Sequence, residues 1–251
     1  MVRILMHGCC GRMGRMITEL VEKDENAVIA AGVDAFGDAY ADYPVYHTLE
    51  EVQEEVDAVI DFSNAKAVDH LLDWCTEHGV PAAICTTGLS EEQMEKLHQA
   101  AEKIAVLKSA NMSIGVNLLL NILKEAAPKL AEAGFDCEIV EKHHNQKLDA
   151  PSGTALALAD SVNDALPEKY AYVYDRSTRR EKRPQKEIGI SSVRGGSIVG
   201  DHDVIFAGQD EVVTFSHTAY SRAIFAKGAI AAAKYLAGKP AGFYDMQDVL
   251  A

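Results

Sequence analysis

The sequence predicts an α/β fold, in which a parallel sheet with covering helices is followed by a smaller α+β region with a mixed sheet. Three observations predict this fold. Short apolar runs alternate with helical patterns as far as residue 107, the pattern changes after Asn111, and several β-rich pieces follow one another over residues 188–217. Strands that alternate with helices on this scale form parallel sheets with right-handed crossovers.

The first half is predicted to contain five buried strands, at residues 2–6, 28–33, 56–62, 81–86 and 104–107. Helices are predicted over residues 12–23, 65–78 and 91–103. In the first of them, apolar residues recur at offsets of 0, 3, 4, 7 and 8, which mark one helical face. Thr48 with Glu51, and Ser90 with Gln93, are capping-box pairs that open a short helix and the third long one. Gly79 follows the second helix, where a C-terminus favours a residue that tolerates positive φ.

The second half is predicted to combine helices with a β-rich segment. A long helix over 114–132 contains Pro128, which predicts a kink or a break at that position. A strand over 136–142 and a helix over 154–166 follow, and the β-rich segment 188–217 is punctuated by glycines. A helix of small residues over 222–237 comes near the end.

The composition excludes several classes of protein. The 251 residues include 24 basic and 38 acidic ones, for a net charge of −14, which argues against nucleic-acid or anionic-membrane partners. With 48% apolar residues the chain is not disordered, and no run of 18 apolar residues predicts a membrane span. The five cysteines include no CxxC pair, so neither a disulfide framework nor a zinc ribbon is expected. Reduced thiols and the lack of a signal-peptide pattern predict a cytoplasmic protein.

A glycine-rich turn, GCCGRMG, follows the first strand and opens the first helix. Its glycines are Gly8, Gly11 and Gly14. Glycines let the backbone approach a pyrophosphate closely, and the helix N-terminus directs N–H groups at the anion. Asp34 ends the second strand, 20 residues after Gly14, where an acid can accept hydrogen bonds from both ribose hydroxyls. The pattern favours a dinucleotide site over an ordinary βα turn beside a surface acid.

Asp34 also bears on which dinucleotide binds. A carboxylate repels the 2′-phosphate of NADPH, and the next residues, Ala35 and Phe36, provide no arginine to bind it. Arg12 or Arg15 could compensate in part. We therefore predict that NADH is preferred over NADPH, with use of both cofactors left open.

A second cluster lies in the segment 138–154, EIVEKHHNQKLDAPSGT. Within an acidic chain it gathers Lys142, His143, His144 and Lys147. The spacing does not fit a zinc site, because HExxH is absent and no thiol follows. A histidine can donate a proton near neutral pH, and a lysine can anchor a carboxylate. The PSGT that opens the next helix provides a second anion site, so a catalytic role is favoured over a solvated loop with a capped helix.

The segment EKHHNQKLDAPSGTA resembles the substrate motif of the dihydrodipicolinate reductase (4-hydroxy-tetrahydrodipicolinate reductase) family of lysine and diaminopimelate biosynthesis. The resemblance covers nearly the whole chain. Its other motifs are GCCGRMG at 8–14, VIDFSNA at 59–65, CTTGLS at 85–90, SANMSIGVN at 109–117, SVRGGSIVGDHDVIFAG at 192–208 and GFYDMQDVL at 242–250. The joint order of these motifs is far more specific than the glycine turn alone.

The resemblance assigns roles residue by residue. It implies that His143 and Lys147 are the proton-transferring catalytic residues, that His144 helps to hold the substrate, and that Gly153 and Thr154 bind a substrate carboxylate. The implied cofactor-binding residues are Gly8, Cys9, Cys10, Gly11, Arg12, Met13 and Asp34 on the nucleotide side, and Cys85, Thr86, Thr87, Ser109, Ala110, Asn111 and Met112 on the nicotinamide side. No metal site is implied.

The resemblance also implies an organisation and a reaction. Residues 1–112 and 222–251 would form a Rossmann-like dinucleotide-binding domain, and residues 113–221 a substrate-binding and oligomerisation domain of a homotetramer. The reaction would be an NADH- or NADPH-dependent reduction of a small cyclic dicarboxylate. Alternatives are another Rossmann-type reductase, an amino-acid dehydrogenase, or a non-catalytic nucleotide-binding sensor, each of which leaves the HHxxK and PSGT motifs unexplained.

Two departures from the family pattern and two features without a predicted catalytic role remain. Cys85 stands where the family commonly has glycine, and the arginine that often follows the ribose-binding acid is missing, which supports the preference for NADH. Arg194 and His202 lie in a family motif, but no catalytic role is predicted for either. The basic segment 176–186 is predicted to be a solvated loop.

Overall fold

A computed structural model describes residues 1–251 and divides them into two compact units. The first unit comprises Met1–Ser113 with Ala223–Ala251, and the second comprises Ile114–Arg222. Each unit has its own sheet and its own hydrophobic core. None of the helices is both long and apolar enough to span a bilayer.

The chain forms twelve strands and six α-helices. The strands are β1 (Val2–His7), β2 (Ala27–Val33), β3 (Val45–Tyr46), β4 (Ala58–Asp61), β5 (Ala82–Ile84), β6 (Ala105–Leu107), β7 (Asp136–His143), β8 (Ala171–Val173), β9 (Glu187–Arg194), β10 (Gly200–Ala207), β11 (Val212–Ala219) and β12 (Gly242–Tyr244). The helices are α1 (Arg12–Val21), α2 (Ala65–His78), α3 (Glu91–Ala101), α4 (Ile114–Glu132), α5 (Gly153–Ala165) and α6 (Ala223–Leu236).

The first unit is built on a seven-stranded parallel sheet with the order β12-β6-β5-β4-β1-β2-β3. Helices α1 and α6 pack on one face of the sheet, and α2 and α3 pack on the other. The chain order reverses between β1 and β4, because β2 and β3 extend the sheet on one side and β5 and β6 on the other. Ligands of such sheets bind at the carboxyl ends of the strands beside this switch point.

The second unit has a five-stranded mixed sheet with the order β11-β10-β7-β9-β8. The β7–β9 and β8–β9 pairs are parallel, whereas β10 runs antiparallel to both β7 and β11. Helices α4 and α5 cover one face, where Leu123 and Leu158 pack with Ile139, Val204 and Phe206. Burial alternates along β10, so the other face is only partly covered.

The predicted fold class, a parallel sheet followed by a mixed sheet, is confirmed. A kink or a break was predicted at Pro128, and of these the break does not occur, because α4 continues through this residue to Glu132. Proline removes its own N–H bond to the carbonyl four residues earlier, and its ring crowds that carbonyl, so the helix contains Pro128 at a cost that the packing of Leu123 and Ala127 in the core offsets. The short strands β3, β8 and β12, with two or three residues each, were not predicted from the sequence.

The basic segment 176–186 is a loop, as predicted, and most of its residues are exposed. Three of its arginines nevertheless form ion pairs with the sheet. Arg176 and Arg183 both donate to Glu138 of β7, and Arg176 and Arg179 both donate to Glu187 of β9. These three arginines therefore neutralise local carboxylates.

Candidate active site

The turn between β1 and α1 has no room for side chains at two of its glycines. Gly8 has a φ of +82°, and a Cβ atom there would lie 2.6 Å from the carbonyl oxygen of Phe62. A Cβ atom on Gly14 would lie 2.4 Å from the carbonyl oxygens of Gly8 and Cys9. No side chain caps α1 at Gly11, and its first turn contains no acid. The N–H groups of this turn therefore suit an anion.

The carboxylate of Asp34 lies against this turn. Its Oδ2 atom accepts a hydrogen bond from the N–H of Cys10 at 3.0 Å, and its Oδ1 atom accepts one from the N–H of Phe36 at 3.2 Å. Arg15 is engaged elsewhere, since its Nε–H donates to the carbonyl of Cys10 and its guanidinium lies 4.1 Å from the Tyr40 ring centroid. The structure thus brings the glycine turn and the candidate ribose acid together.

Cys9 and Cys10 belong to the same turn. Cys9 is buried, and the two sulfur atoms are 3.8 Å apart. Burial raises the pKa of both thiols, so both are protonated near neutral pH. Their sulfur atoms and an Asp34 oxygen lie within 4.8 Å of one another, but protonated thiols are poor metal ligands.

A buried histidine–carboxylate pair that was not predicted from the sequence lies at the carboxyl ends of β1 and β4. His7 Nδ1–H donates to Asp61 Oδ1 at 2.8 Å, and the hydroxyl of Ser63 donates to the same oxygen at 2.6 Å. Burial would raise the pKa of Asp61, but the hydrogen bond and charge of His7 outweigh that effect and lower it. The paired polar ends of two otherwise apolar strands are the signal that could have identified this pair.

The candidate nicotinamide segments follow β5 and β6. Cys85 and Thr86 are buried, and Thr87 is exposed. Lys108 Nζ donates to the carbonyl of Thr86 at 2.7 Å, and burial lowers the pKa of this lysine. The bond links the loop that contains Thr86 and Thr87 to the segment Ser109, Ala110, Asn111 and Met112. A side chain of the second segment, Asn111, accepts a hydrogen bond from the N–H of Ser113 at 2.8 Å.

In the second unit, the inner face of β7 carries Glu141 and His143. Glu141 is fully buried, and His143 is 8% exposed. His143 Nδ1–H donates to Glu141 Oε2 at 2.6 Å, and Arg194 donates to both carboxylate oxygens at 2.7 and 2.8 Å. Burial would raise the pKa of Glu141, but the hydrogen bonds from Arg194, Ser192, His143 and the N–H of Ser152 lower it to about 2. Glu141 is therefore charged at neutral pH.

A second buried histidine, His202 of β10, lies beside His143. The two ring centroids are 5.1 Å apart. His202 Nε2 lies 3.1 Å from the hydroxyl of Ser152, which also accepts from the N–H of Ala155 and so caps α5. Burial first, and then the charge of His143, lower the pKa of His202 to about 4. His202 is therefore uncharged near neutral pH.

The remaining substrate-side candidates lie in the loop after β7 and at the start of α5. His144 is half-buried, and the Nζ atom of Lys147 lies 2.8 Å from Asp149 Oδ1. Gly153 and Thr154 begin α5, whose first turn contains no acid. A Cβ atom on Gly153 would meet open space, so packing does not require glycine there. The five residues predicted to act on the substrate or to bind it thus all lie in the second unit, from the last residue of β7 to the first two residues of α5.

The comparisons with known proteins cover both units. Residues 2–112 match the family model for the N-terminus of dihydrodipicolinate reductase, and residues 115–250 match the model for its C-terminus. This chain belongs to the dihydrodipicolinate reductase family. The family membership predicted from the motifs is confirmed.

Full-length relatives support the same assignment. The chain is 50% identical to a 4-hydroxy-tetrahydrodipicolinate reductase of Caldanaerobacter subterraneus subsp. tengcongensis over 100% of this chain and 98% of the relative. It is 48% identical to the enzyme of the same name from Clostridium tetani, over 100% and 97%. Among solved structures, dipicolinate-bound dihydrodipicolinate reductase from Paenisporosarcina sp. TG-14 matches with a TM-score of 0.80 and 27% identity, covering 98% of this chain and 97% of that one.

Proposed function

We propose that the chain reduces 4-hydroxy-tetrahydrodipicolinate to tetrahydrodipicolinate, with NADH or NADPH as the hydride donor, in lysine and diaminopimelate biosynthesis. The observation that carries this proposal is the arrangement between β7 and α5, in a chain whose full-length relatives bear this enzyme's name. There, His143, Lys147 and the acid-free start of α5 lie along one short segment.

The first unit is proposed to bind the dinucleotide. The crowded turn at Gly8 and Gly14 leaves only backbone at the surface that would face the pyrophosphate, and Asp34 is placed to accept from the ribose hydroxyls. When bound, the nicotinamide supplies a hydride. Residues Thr86, Thr87 and 109–112 are proposed to orient its ring.

The second unit is proposed to hold the dicarboxylate. The N–H groups at Gly153 and Thr154 would bind one carboxylate, and His144 would help to hold the ring. Lys147 lies beside Asp149 on a half-exposed loop, from which its ammonium can turn to the substrate. The substrate loses its hydroxyl as water, a ring carbon gains the hydride, and the electron pair that moves toward the ring nitrogen takes a proton from His143 or Lys147.

The proposal also covers the preferred cofactor, the cellular compartment and the assembly of the enzyme. NADH is the preferred donor, because Asp34 faces the position of a 2′-phosphate and no arginine follows it. The enzyme acts in the cytoplasm. It assembles as a homotetramer through the partly covered face of the second sheet.

A coupled assay tests the activity. Dihydrodipicolinate synthase, pyruvate and aspartate semialdehyde generate the unstable substrate in place, and the oxidation of NADH or NADPH is followed by absorbance. Oxidation that requires both the synthase and this chain is the expected result. If neither cofactor is oxidised, while a known reductase is active in the same mixture, the proposed function is wrong.

A further inference from the structure

Glu141 is a charged side chain with no solvent contact, in a place where most strands carry an apolar residue. It is fully buried on the inner face of β7, two residues before His143. Burying an uncompensated carboxylate is strongly unfavourable, so its partners must supply the compensation. Arg194 compensates the charge of Glu141 through a bidentate contact, a geometry that lysine cannot reproduce.

The first consequence concerns the orientation of His143. A carboxylate can only accept, so its 2.6 Å contact requires a proton on His143 Nδ1. In the neutral ring the proton is then absent from Nε2, and in the charged ring Nε2–H is the group free to donate. The contact with Glu141 therefore selects Nε2 as the nitrogen that exchanges a proton with a ligand.

The second consequence concerns the loop 144–151, which carries His144 and Lys147. Glu141 Oε1 accepts from the N–H of Ser152 at 3.1 Å, on the far side of this loop. Arg194 also donates to the carbonyl of Asp149 at 2.7 Å, and Asp149 is the ion-pair partner of Lys147. One carboxylate and one guanidinium thus fix the ring of His143 and the end of the loop together.

We propose that Glu141 and Arg194 are positioning residues of the active site. Glu141 sets the proton-bearing nitrogen and the orientation of His143, and Arg194 holds Glu141 in place and anchors the loop that carries Lys147. Where it concerns turnover, this inference rests on the proposed reductase activity. The state of the His143 ring can be measured without any activity.

Glu141→Gln is the decisive variant, because an amide has one accepting and one donating end. If its NH2 group replaces Oε1, it faces two fixed donors, the N–H of Ser152 and one N–H of Arg194. If the NH2 group replaces Oε2, it faces one fixed donor, the other N–H of Arg194, and His143 Nδ1, which can accept only after its proton has moved to Nε2. The second arrangement opposes fewer donors, so we expect the variant to shift neutral His143 toward the Nε2–H tautomer.

The tautomer is read from imidazole ¹⁵N shifts of histidine-labelled protein, with His143→Gln used to assign the signal. Glu138→Gln is the matched control, because Glu138 also lies on β7 and accepts from two arginines but does not contact His143. The Nδ1–H tautomer is expected in the wild type and in the control. An unchanged tautomer in Glu141→Gln would overturn the inference, whatever the outcome of the activity assay.

Turnover supplies the second readout. We expect Glu141→Gln to lower kcat about 10- to 100-fold, with KM changed by less than about threefold, because general acid–base catalysis depends on the placement of the proton donor. In a His143→Ala background, the same substitution is expected to change kcat by less than about twofold, since residues that act through one another are not additive. Equal losses in both backgrounds would indicate a merely structural role and overturn the inference.

Arg194→Lys addresses the case in which Glu141→Gln fails to fold. This variant keeps the positive charge beside Glu141 but loses the bidentate contact with Glu141 and the hydrogen bond to the carbonyl of Asp149. The same two measurements then apply, with smaller changes in the same directions expected. If the wild type shows no reductase activity, the proposed function fails, while the tautomer comparison still decides the contact between Glu141 and His143.

Discussion

At the scale of single residues, the proposed chemistry depends on two side chains that are both largely shielded from solvent. The side chain of His143 is 11% exposed and that of Lys147 is 22% exposed. We predict that His143→Ala and Lys147→Ala each lower kcat about 100-fold or more, because each removes a proposed proton donor. Gln146→Ala, on the same loop, is the control and should keep wild-type turnover in the coupled assay. Full activity in either alanine variant would remove that residue from the mechanism.

A second residue-scale prediction concerns His202 and acid stability. Its folded pKa, about 4, lies below the ordinary histidine value of 6.5, so the unfolded chain binds a proton more readily between these values. Its contribution to stability is therefore complete above pH 6.5 and is lost as the pH falls toward 4. Lowering the pH from 7 to 5 should reduce the free energy of unfolding by about 2 kcal/mol through this group.

Urea unfolding of the wild type and of His202→Gln at both pH values measures this effect. Burial also lowers the pKa of His217, which therefore acts in the same direction in both proteins. The pH-dependent loss should thus be smaller in the variant by about 2 kcal/mol. Equal losses in the two proteins would show that His202 does not titrate as proposed.

A third prediction at the scale of residues concerns Asp34 and the choice between NADH and NADPH. Its carboxylate is held by the N–H groups of Cys10 and Phe36, so it has a fixed position toward the proposed ribose site. We expect the wild type to have a higher kcat/KM with NADH than with NADPH, and Asp34→Ser to reduce or reverse this ratio about tenfold, because it removes a charge that repels the 2′-phosphate. Steady-state kinetics with both cofactors tests it, and a tenfold preference of the wild type for NADPH would contradict it.

At the scale of elements, the position of the segment 109–112 depends on α6. A Cβ atom on Gly228 would lie 1.6 Å from the carbonyl oxygen of Met112, so helix and segment are in direct backbone contact. We predict that Gly228→Ala displaces the segment and weakens NADH binding about tenfold or more, although Gly228 itself is not proposed to touch the cofactor. Fluorescence titration with NADH measures the Kd.

Gly238→Ala does not serve as a control for this prediction, because Gly238 has a positive φ. Ala231→Ser on the same helix is suitable, since it changes a partly buried position without approaching the segment. An unchanged Kd in Gly228→Ala, in a protein that remains folded, would show that the helix does not set the position of the segment.

Most elements could be predicted from the sequence, and the exceptions have physical reasons. Regular apolar spacing and capping pairs predicted α1 to α3 well; the Thr48–Glu51 pair does open a turn, and Gly79 has a φ of +68°. The short strands β3, β8 and β12 have too few residues to show alternation, since their pairing partners define them. Pro128 does not break α4, because core packing by Leu123 and Ala127 holds the helix in spite of one lost hydrogen bond, and a local rule does not include that packing.

The candidate site likewise contains residues that the sequence could indicate and a contact that it could not. Motif spacing could indicate His143, Lys147 and Asp34, because these residues lie in short contiguous patterns. It could not indicate that Arg194, 53 positions after Glu141, contacts both oxygens of that carboxylate. This contact arises from the pairing of β7 with β9, which no local pattern encodes.

At the scale of the whole molecule, the net charge of −14 gives no indication of the two sites that suit anions. The first turn of α1 follows the crowded glycine turn, the first turn of α5 follows the loop of His144 and Lys147, and neither turn contains an acid. The basic segment 176–186 does not add a third such site, because Arg176, Arg179 and Arg183 are paired with Glu138 and Glu187. Local backbone geometry therefore matters more for ligand binding than the average charge.

The exposed face of the second sheet leads to a prediction about the oligomeric state of the protein. One of its faces is covered by α4 and α5, while Val193 and Val212 are 46% and 63% exposed on the other face. We propose that this face is the homotetramer interface, because exposed apolar residues on a sheet face favour association. Light scattering coupled to size exclusion should then give about 109 kDa, four times the chain mass of 27.2 kDa.

Charged substitutions on this face should dissociate the assembly. Val193→Glu combined with Val212→Glu is expected to give dimers or monomers, because burying two carboxylates per chain without partners is strongly unfavourable. Leu118→Glu is the matched control, since Leu118 is 52% exposed on α4, a helix that covers the opposite face. A tetramer that survives the double substitution would place the interface elsewhere, and a wild-type mass of 27.2 kDa would contradict the assembly altogether.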